Sequence, residues 1–186
     1  MMRALDIVAA LLALFVLGLP MLFIAGLVML TSKGPALYWS DRVGKDNILF
    51  KMPKFRTMRT GTPAVATHLL GDPGQFLTPL GRMLRRSSLD ELPQLLSVVK
   101  GDMSIVGPRP ALFNQEDLIS LRTAKGVHKL RPGITGWAQI NGRDELEIPD
   151  KVALDQYYLK NRSLSLDMKI ILMTVARVVK SKDVAH

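Results

Sequence analysis

The chain of 186 residues is long enough for one domain with an appended segment, and it contains no cysteine, which excludes a disulfide framework. Lysine and arginine outnumber aspartate and glutamate by 25 to 16, a formal net charge of +9 at pH 7. A surplus of this size favours an anionic partner: nucleic acid, anionic lipid or a polyphosphate. No P-loop and no GxGxxG sequence occurs, so the sequence does not support an ATPase or a Rossmann enzyme.

The N-terminal stretch, residues 7–30, is apolar and contains no charged side chain. About 20 such residues span the hydrocarbon core of a bilayer, so the stretch predicts a single transmembrane helix. A cleaved signal peptide fits less well, because the apolar run is long and no small-x-small cleavage site follows it.

Two features of this stretch favour a path that enters the membrane and returns. Pro20 removes a backbone donor near the middle of the run, which predicts a bend or break in the helix. Arg3 precedes the run and Lys33 follows it, so the positive-inside rule puts both ends on the cytoplasmic side. We therefore predict a re-entrant helix-break-helix segment over residues 1–33 and a membrane-surface domain over residues 34–186.

A β-hairpin is predicted after the membrane segment. Residues 36–40 and 47–51 are rich in apolar side chains and flank a loop that contains Gly44. Residues 54–58 alternate with period two and predict a further short strand, whereas the glycine, proline and threonine of residues 61–74 predict a loop.

Two later segments have the composition of amphipathic helices at a membrane interface. Residues 77–84 carry leucines at helical spacing beside arginines, and residues 164–179 are apolar with a few polar side chains. An ordinary helix packed on its own domain would explain the same patterns. Together with the hairpin, these helices predict a helix-rich α+β fold with a small sheet.

The centre of the chain predicts a helix that begins beside two carboxylates. Leucines and valine at i, i+3, i+4 and i+7 form an apolar stripe over residues 92–99, and Gly101 ends it. Residues 88–91 fit the S-x-x-E capping box, which predicts Ser88 as the N-cap and Pro93 near the end of the first turn.

The two carboxylates, Asp90 and Glu91, admit two interpretations. Acidic residues in a first turn complement the helix dipole, so both could serve only to stabilise the helix. The same dipole favours an ionised carboxylate, which makes Asp90 a candidate nucleophile towards a phosphoryl group. One carboxylate would then attack while the other holds Mg²⁺, which takes one or two protein carboxylates together with substrate phosphate oxygens.

Two proline- and glycine-rich motifs follow. Residues 107–110 read Gly-Pro-Arg-Pro and set Arg109 in a stiff loop suited to clamping a phosphate, although a rigid loop with an incidental arginine is the alternative. Residues 131–143 offer glycines for close backbone approach to a ligand, Trp137 and Gln139 for a base, and terminal arginines for a diphosphate. The alternative there is a turn followed by an Asn-Gly hairpin.

The candidate phosphate- and nucleotide-binding residues are therefore Arg85, Pro108, Arg109, Pro110, Gly133, Thr135, Gly136, Gln139 and Arg143.

In combination, the motifs at residues 87–110 and 131–143 resemble those of the bacterial sugar transferases, the monotopic polyprenyl-phosphate phosphoglycosyl transferases. Residues 54–58 and the Asp-Gln-Tyr-Tyr sequence at 155–158, within a predicted helix, also resemble that family. The resemblance covers nearly the whole chain. The length is similar to that of small members, which are little more than a membrane segment and a catalytic domain.

The resemblance implies that the chain transfers sugar-1-phosphate from a UDP-sugar to a polyprenyl phosphate, normally undecaprenyl phosphate, with release of UMP. It implies Asp90 as the nucleophile that forms a phosphosugar-enzyme intermediate and Glu91 as the Mg²⁺ ligand. It also places Arg85, Arg109 and Arg143 near the phosphates or the nucleotide.

The resemblance further implies a place at the bacterial inner membrane, with the catalytic domain on the cytoplasmic face, and a first step of glycoconjugate assembly such as protein glycosylation. The family's membrane segment is re-entrant, in agreement with the flanking charges. Relatives often have Ser-Pro at the break, whereas this chain has Leu19 before Pro20, so the bend lacks that polar partner.

Two other functions remain open at this point. The lipid phosphate could attack the UDP-sugar directly in a ternary complex. Alternatively, the chain could be a basic membrane-anchored binding protein in which Asp90 only caps a helix. With only 2 tryptophans and few other aromatic residues, the chain offers little stacking surface for bases, so we expect no nucleic acid partner.

Overall fold

The computed structural model describes residues 2–63, 72–142 and 146–180 of the chain. In chain order its helices and strands are α1 (Met2–Thr31), β1 (Leu37–Val43), β2 (Leu49–Phe55), α2 (Gly81–Arg86), α3 (Gln94–Lys100), β3 (Ser104–Val106), α4 (Glu116–Ala124), β4 (Gly133–Thr135), α5 (Trp137–Ile140), α6 (Ile148–Asn161) and α7 (Leu164–Lys180). Short 3₁₀ turns lie at Lys45–Asn47, Pro73–Phe76, Leu89–Glu91 and Val127–Lys129. The helix-rich α+β fold is confirmed.

The predicted hairpin is present, with longer strands than the sequence indicated. β1 and β2 pair antiparallel from Leu37 opposite Phe55 to Val43 opposite Leu49. The further strand predicted at residues 54–58 is wrong. Its first two residues end β2. The Arg56 amide still donates to the Ala36 carbonyl at 2.8 Å, but Met58 then pairs with Leu77 in an isolated bridge, so the segment leaves β1 without forming a strand of its own. Most of the loop predicted at residues 61–74 lies outside the described residues.

α1 is a helix of 30 residues, about 45 Å long, and the described chain contains no other helix long and apolar enough to cross a membrane. It runs through Pro20 without interruption, so the predicted helix-break-helix path is not confirmed. A proline inside a helix removes one hydrogen bond to the preceding turn, and the helix continues beyond it.

The N-terminal part of α1 packs on α3 and the segment that follows α3. Ala10 is fully buried against Leu95 and Met103. The Arg3 guanidinium donates to the carbonyl oxygens of Val98, at 2.6 Å, and Met103, at 3.2 Å. Because the last carbonyls of a helix lack intrahelical partners, this arginine fastens the beginning of α1 to the end of α3.

The C-terminal part of α1 packs on the end of the hairpin and on α2. Val28 is buried against Phe55 and Leu84. The buried Arg56 guanidinium donates to the Ser32 carbonyl oxygen at 2.8 Å, just after the helix ends. Both ends of α1 therefore contact the same globular body.

The middle of α1 and one face of α7 expose apolar side chains. Phe15 is 87% exposed and Leu19 79% exposed. On α7, which confirms the closing helix predicted over residues 164–179, the exposed apolar residues recur at i, i+4, i+8 and i+11; they are Leu164, Met168, Leu172 and Val175.

The amphipathic helix predicted over residues 77–84 is only partly present. The Thr78 amide donates to the Thr57 carbonyl at 2.9 Å, which keeps this part of the chain out of a helix, and α2 begins only at Gly81. Leu80, just before α2, and Leu84 within it pack against α1, so this segment is packed on its own domain.

A short parallel pair, β3 and β4, brings the two proline-rich motifs together. Ser104 pairs with Gly133, and Val106 with Thr135. Beyond the strands, the Gly133 amide donates to the Pro108 carbonyl at 2.9 Å. Residues 107–110 therefore lie beside residues 131–136.

Candidate active site

The two carboxylates lie in a tight turn and not in the helix that the sequence predicted. Leu89–Glu91 form a 3₁₀ turn, and α3 begins at Gln94. The capping box is not formed, since Ser88 has φ 57° and its side chain makes no cap hydrogen bond. The physical cause is Pro93, which has no N–H to donate to the Leu89 carbonyl, so the chain keeps 3₁₀ bonds before the helix.

Asp90 is buried, with 7% of its surface exposed. The pKa of its carboxyl is raised from 3.8 to about 6: burial is the largest cause and the charge of Glu91 adds to it, while Lys54, Arg85 and Arg109 oppose the change. The sequence argument that a helix dipole favours the ionised form of Asp90 is therefore wrong here. Asp90 lies in a single 3₁₀ turn before α3, and burial is the largest cause of its raised pKa. At neutral pH the carboxyl is still mostly ionised.

Glu91 is held by two cations from distant parts of the chain. Its Oε1 lies 2.8 Å from Lys54 Nζ at the end of β2 and 3.1 Å from the Arg109 guanidinium. The side chains of Glu91 and Lys54 are 11% and 15% exposed. Burial lowers the pKa of the Lys54 ammonium, an effect that Glu91 opposes. Sequence reasoning missed Lys54 as a site residue, although a lysine between Pro53 and Phe55 in a largely apolar strand was a usable signal.

Arg85 completes the cationic surroundings of the two carboxylates. It lies in the last turn of α2, and its Nε donates to Thr57 Oγ1 at 3.0 Å. Burial lowers the pKa of its guanidinium, while the charges of Asp90 and Glu91 raise it. The arrangement gathers three cations around two carboxylates, which suits a multiply charged anion such as a diphosphate.

The structure brings together four residues that the sequence selected: Asp90, Glu91, Arg85 and Arg109. Pro108 and Pro110 are buried on either side of Arg109 and fix the loop.

Two glycines of the motif at residues 131–143 lie close to the backbone of the loop after β3. A Cβ atom at Gly133 or at Gly136 would overlap the backbone of Gly107. Both positions therefore need glycine so that β4 and the loop after β3 can lie side by side. A contact between these glycines and a ligand stays a prediction.

Two further predicted nucleotide-binding side chains have internal partners. Thr135 Oγ1 lies 2.7 Å from Thr174 Oγ1 on α7, and Gln139 Nε2 donates to the Ile134 carbonyl at 2.9 Å. Their contact with a nucleotide stays a prediction. Arg143 lies outside the described residues.

Trp137, which the sequence assigned to a base, also contacts another part of the protein. The Trp137 ring stacks on Tyr157, with centroids 5.5 Å apart. The Asn-Gly hairpin considered as an alternative is wrong, because Asn141 and Gly142 form a turn at the end of α5.

Within residues 2–63, 72–142 and 146–180, no group of three or more histidine, aspartate or glutamate side chains forms a metal cage. The adjacent carboxylates of Asp90 and Glu91 nevertheless have the donor chemistry that Mg²⁺ prefers. They fit an ion that takes its other ligands from substrate phosphates and water, and they are the residues that would hold it.

The chain matches known proteins along nearly its full length. Residues 1–181 match the family described as bacterial sugar transferase. The uncharacterized sugar transferase EpsL of Bacillus subtilis (strain 168) is 41% identical over 182 residues, which cover 98% of this chain and 89% of EpsL. The exopolysaccharide production protein ExoY of Rhizobium meliloti (strain 1021) is 36% identical over 197 residues, 97% of this chain and 86% of ExoY.

A third relative has a defined reaction in its name. The UDP-glucose:undecaprenyl-phosphate glucose-1-phosphate transferase of Escherichia coli (strain K12) is 42% identical over 182 residues. The match covers 93% of this chain and 39% of the longer relative. The chain therefore belongs to the bacterial sugar transferase family, and it is a sugar phosphotransferase enzyme.

Proposed function

We propose that this enzyme transfers sugar-1-phosphate from a UDP-sugar to undecaprenyl phosphate or a similar polyprenyl phosphate, and that UMP is released. The observation that carries the proposal is the convergence of Lys54, Arg85 and Arg109 on the adjacent carboxylates Asp90 and Glu91. The names of relatives that act on undecaprenyl phosphate support the same reaction. ExoY and similar names favour exopolysaccharide assembly over protein glycosylation.

In the first step, an ionised Asp90 oxygen attacks the phosphorus that carries the sugar. A new bond joins this oxygen to phosphorus, and the bond from phosphorus to the bridging oxygen of the diphosphate breaks. UMP leaves with that electron pair. The sugar phosphate is then held on Asp90 as an acyl phosphate, which divides the transfer into two easier steps.

In the second step, a phosphate oxygen of the polyprenyl phosphate attacks the same phosphorus. The bond to Asp90 breaks, the carboxylate is restored, and the product is a polyprenyl diphosphate sugar. No proton has to be abstracted from the acceptor, because a phosphate dianion is already a nucleophile. That fits a site whose described part contains cations and carboxylates and has no histidine among its members.

The cations have the role of balancing negative charge while it moves between oxygens. Arg109 and Arg85 present planar donors suited to phosphate oxygens, and Lys54 supplies a compact charge beside both carboxylates. Bound Mg²⁺ would neutralise charge on the diphosphate, with Glu91 and Asp90 as its protein ligands.

The packing of α1 supports attachment to one side of the membrane. A helix that crosses a bilayer once carries its ends to opposite faces, about 30 Å apart. Here Asp6 Oδ2 accepts from Ser104 Oγ at 2.7 Å near one end, and Arg56 holds Ser32 at the other. We infer that both ends lie beside the catalytic domain and that the exposed middle enters one leaflet; the hydrogen bond that Pro20 cannot donate would allow α1 to bend there.

The catalytic domain would then lie at the cytoplasmic face of the bacterial inner membrane. Lys33 and Arg3 flank the apolar stretch, and the UDP-sugar donor is cytosolic. The exposed apolar stripe of α7 offers a second, shallower contact with the membrane interface.

The topology is tested with single cysteines, since the chain has none of its own. Ala4→Cys and Lys33→Cys are labelled in spheroplasts with a membrane-impermeant maleimide. We expect both positions to be protected until the membrane is opened. Labelling of Ala4→Cys alone in intact spheroplasts would indicate a spanning helix.

The reaction is tested by intact-protein mass after incubation with a panel of UDP-sugars and Mg²⁺, without lipid acceptor. We expect UMP release together with the mass of one sugar phosphate, absent from Asp90→Asn and retained in the surface variant Asp41→Asn. Turnover that appears only after addition of undecaprenyl phosphate, without an adduct, would favour direct attack in a ternary complex. No reaction under either condition, with every donor of the panel, would contradict the proposed donor and acceptor.

A further inference from the structure

The loop that carries Arg109 has few backbone groups by which the protein can hold it. Pro108 and Pro110 have no N–H, so their carbonyl oxygens are their only backbone partners for hydrogen bonds. Each carbonyl of the three residues accepts a hydrogen bond from a different part of the fold: Pro108 from the Gly133 amide at 2.9 Å, Arg109 from Arg122 at 2.8 Å and Pro110 from Arg42 at 3.1 Å.

The donor to the Arg109 carbonyl is a buried side chain with a fixed orientation. Arg122 lies on α4 and is 7% exposed. Its Nε and one terminal nitrogen donate to Asp155 Oδ2 on α6, at 2.9 and 2.6 Å, and its other terminal nitrogen donates to the Arg109 carbonyl. Asp155 is 1% exposed. The carboxylate therefore fixes the guanidinium plane and directs its remaining donor at the loop.

The contacts of Arg122 extend beyond its buried ion pair with Asp155, because one guanidinium nitrogen also donates to the Arg109 carbonyl. Such pairs contribute little net stability, because the cost of desolvating two charges offsets their attraction. A charge-assisted hydrogen bond to a backbone carbonyl is strong and directional, and it sets the peptide plane from which the Arg109 side chain departs. The sequence segment at residues 155–158, which resembles a family motif, thereby gains a physical role.

We propose that Arg122 and Asp155 are positioning residues for sugar-phosphate transfer, acting through the Arg109 peptide on the Arg109 guanidinium. The inference rests on the proposed function, in which that guanidinium binds a phosphate. The Arg109 guanidinium lies 3.1 Å from Glu91 Oε1, so a rotation of the Arg109 peptide moves a group in direct contact with one of the two carboxylates. A displacement of about 1 Å in a positioning group lowers a rate by about 100-fold.

The test is a double-mutant cycle on kcat/KM for UMP release, measured with full-length enzyme in detergent and with undecaprenyl phosphate as acceptor. The first change replaces both charges together, Arg122→Met with Asp155→Leu, so that neither is left buried alone. The second change is Arg109→Ala. We expect the paired replacement to lower kcat/KM by about 100-fold in the natural chain and by less than about threefold when Arg109 is already alanine.

The matched control is Val152→Ala, which loosens the same junction of α4 and α6. Val152 is buried against Ala111 and Leu118, one turn before Asp155, and its apolar side chain has no donor for the Arg109 carbonyl. We expect this control to lower the melting temperature while changing kcat/KM by the same small factor in both backgrounds. Arg122→Lys keeps the charge but loses the planar fork, so we expect it to resemble the paired replacement in kcat/KM.

Equal losses from the paired replacement in both backgrounds would overturn the inference, since they would indicate a general effect on packing. Full activity of Arg122→Lys would also overturn it. If Arg109→Ala reacts too slowly to measure, the same four proteins are compared for UDP binding by calorimetry, with the same expected pattern. Failure of the proposed function itself is recognised separately, by the absence of UMP release from the unmodified enzyme.

Discussion

Two groups of acidic and basic side chains lie on either side of the loop that carries Arg109, and they differ in charge balance and exposure. The site cluster faces the proposed substrate and consists of Lys54, Arg85, Asp90, Glu91 and Arg109. The support pair lies behind the loop and consists of Arg122 and Asp155. The Arg109 side chain is 26% exposed, whereas those of the support pair are 9% and 2% exposed.

The difference in charge balance indicates that the site cluster suits a binding site and that the support pair is a structural contact. The site cluster has three cations and two carboxylates, so it gains from an incoming anion. The support pair has one charge of each sign, and each is already satisfied by hydrogen bonds. Short distances occur in both groups, so the surplus of positive charge and the exposed part of Arg109 are the reasons why we propose that the chemistry occurs at the site cluster.

The largest expected effect comes from Asp90→Asn. Asparagine keeps the shape but cannot act as the nucleophile, so kcat should fall by about 10⁴-fold or more, measured as UMP release. The free energy of unfolding should rise at the same time. The folded pKa of Asp90 is raised from 3.8 to about 6, so its ionisation costs about 3 kcal/mol of stability at neutral pH.

The pH dependence of the free energy of unfolding provides a control for the Asp90→Asn prediction. The stability cost is absent below pH 3.8 and is fully present above about pH 6, so Asp90→Asn and the natural chain should converge in stability as the pH falls through that range. Equal stability at pH 7.5, in denaturant unfolding at matched detergent concentration, would contradict the raised pKa.

Loss of a charge from the support pair should lower the free energy of unfolding, whereas Asp90→Asn should raise it. Asp155→Asn leaves the Arg122 charge buried without its counter-ion, which should lower the free energy of unfolding by about 3–5 kcal/mol. Arg122→Met with Asp155→Leu removes both charges and should restore most of that loss without restoring activity. A paired variant as unstable as Asp155→Asn would indicate that the pair itself is the main source of stability.

A smaller effect is expected from Lys54→Met, which removes a cation from the site cluster. Lys54 lowers the pKa of Asp90, so its loss should move that pKa above 6 and shift the acid limb of the kcat/KM profile to higher pH. We expect a loss of about 10- to 100-fold that is larger at pH 6 than at pH 8. Lys51→Met is the matched control, since Lys51 lies on the same strand, and its side chain is 67% exposed.

Local patterns were sufficient to select much of the site cluster. Asp90, Glu91 and Arg109 were recognised because carboxylates beside arginines, and an arginine between prolines, are unusual sequences with direct chemical uses. The start of α3 was predicted wrongly, because the capping-box spacing at Ser88 takes no account of the hydrogen bond that Pro93 cannot donate.

The support pair could not be predicted in the same way. Arg122 and Asp155 are separated by 33 positions on two helices. Asp155 was noticed only as part of the segment at residues 155–158, and Arg122 resembles an ordinary surface charge in the sequence. Only the packing of α4 on α6 buries them together. Lys54 is an intermediate case, since its strand was recognised in part but its partner Glu91 lies 37 positions away.

The smallest expected effect comes from an ion pair that shares the geometry of the others but not their burial. Lys51 Nζ lies 2.9 Å from Asp41 Oδ1, a separation close to those in the support pair, yet both side chains are about half exposed or more. Water screens such a pair, so Asp41→Asn should change the free energy of unfolding by less than about 0.5 kcal/mol and leave kcat/KM unchanged. A loss near that of Asp155→Asn would mean that distance, and not burial, sets the energy of these contacts. The proposed division between a site cluster and a support pair would then lose its physical basis.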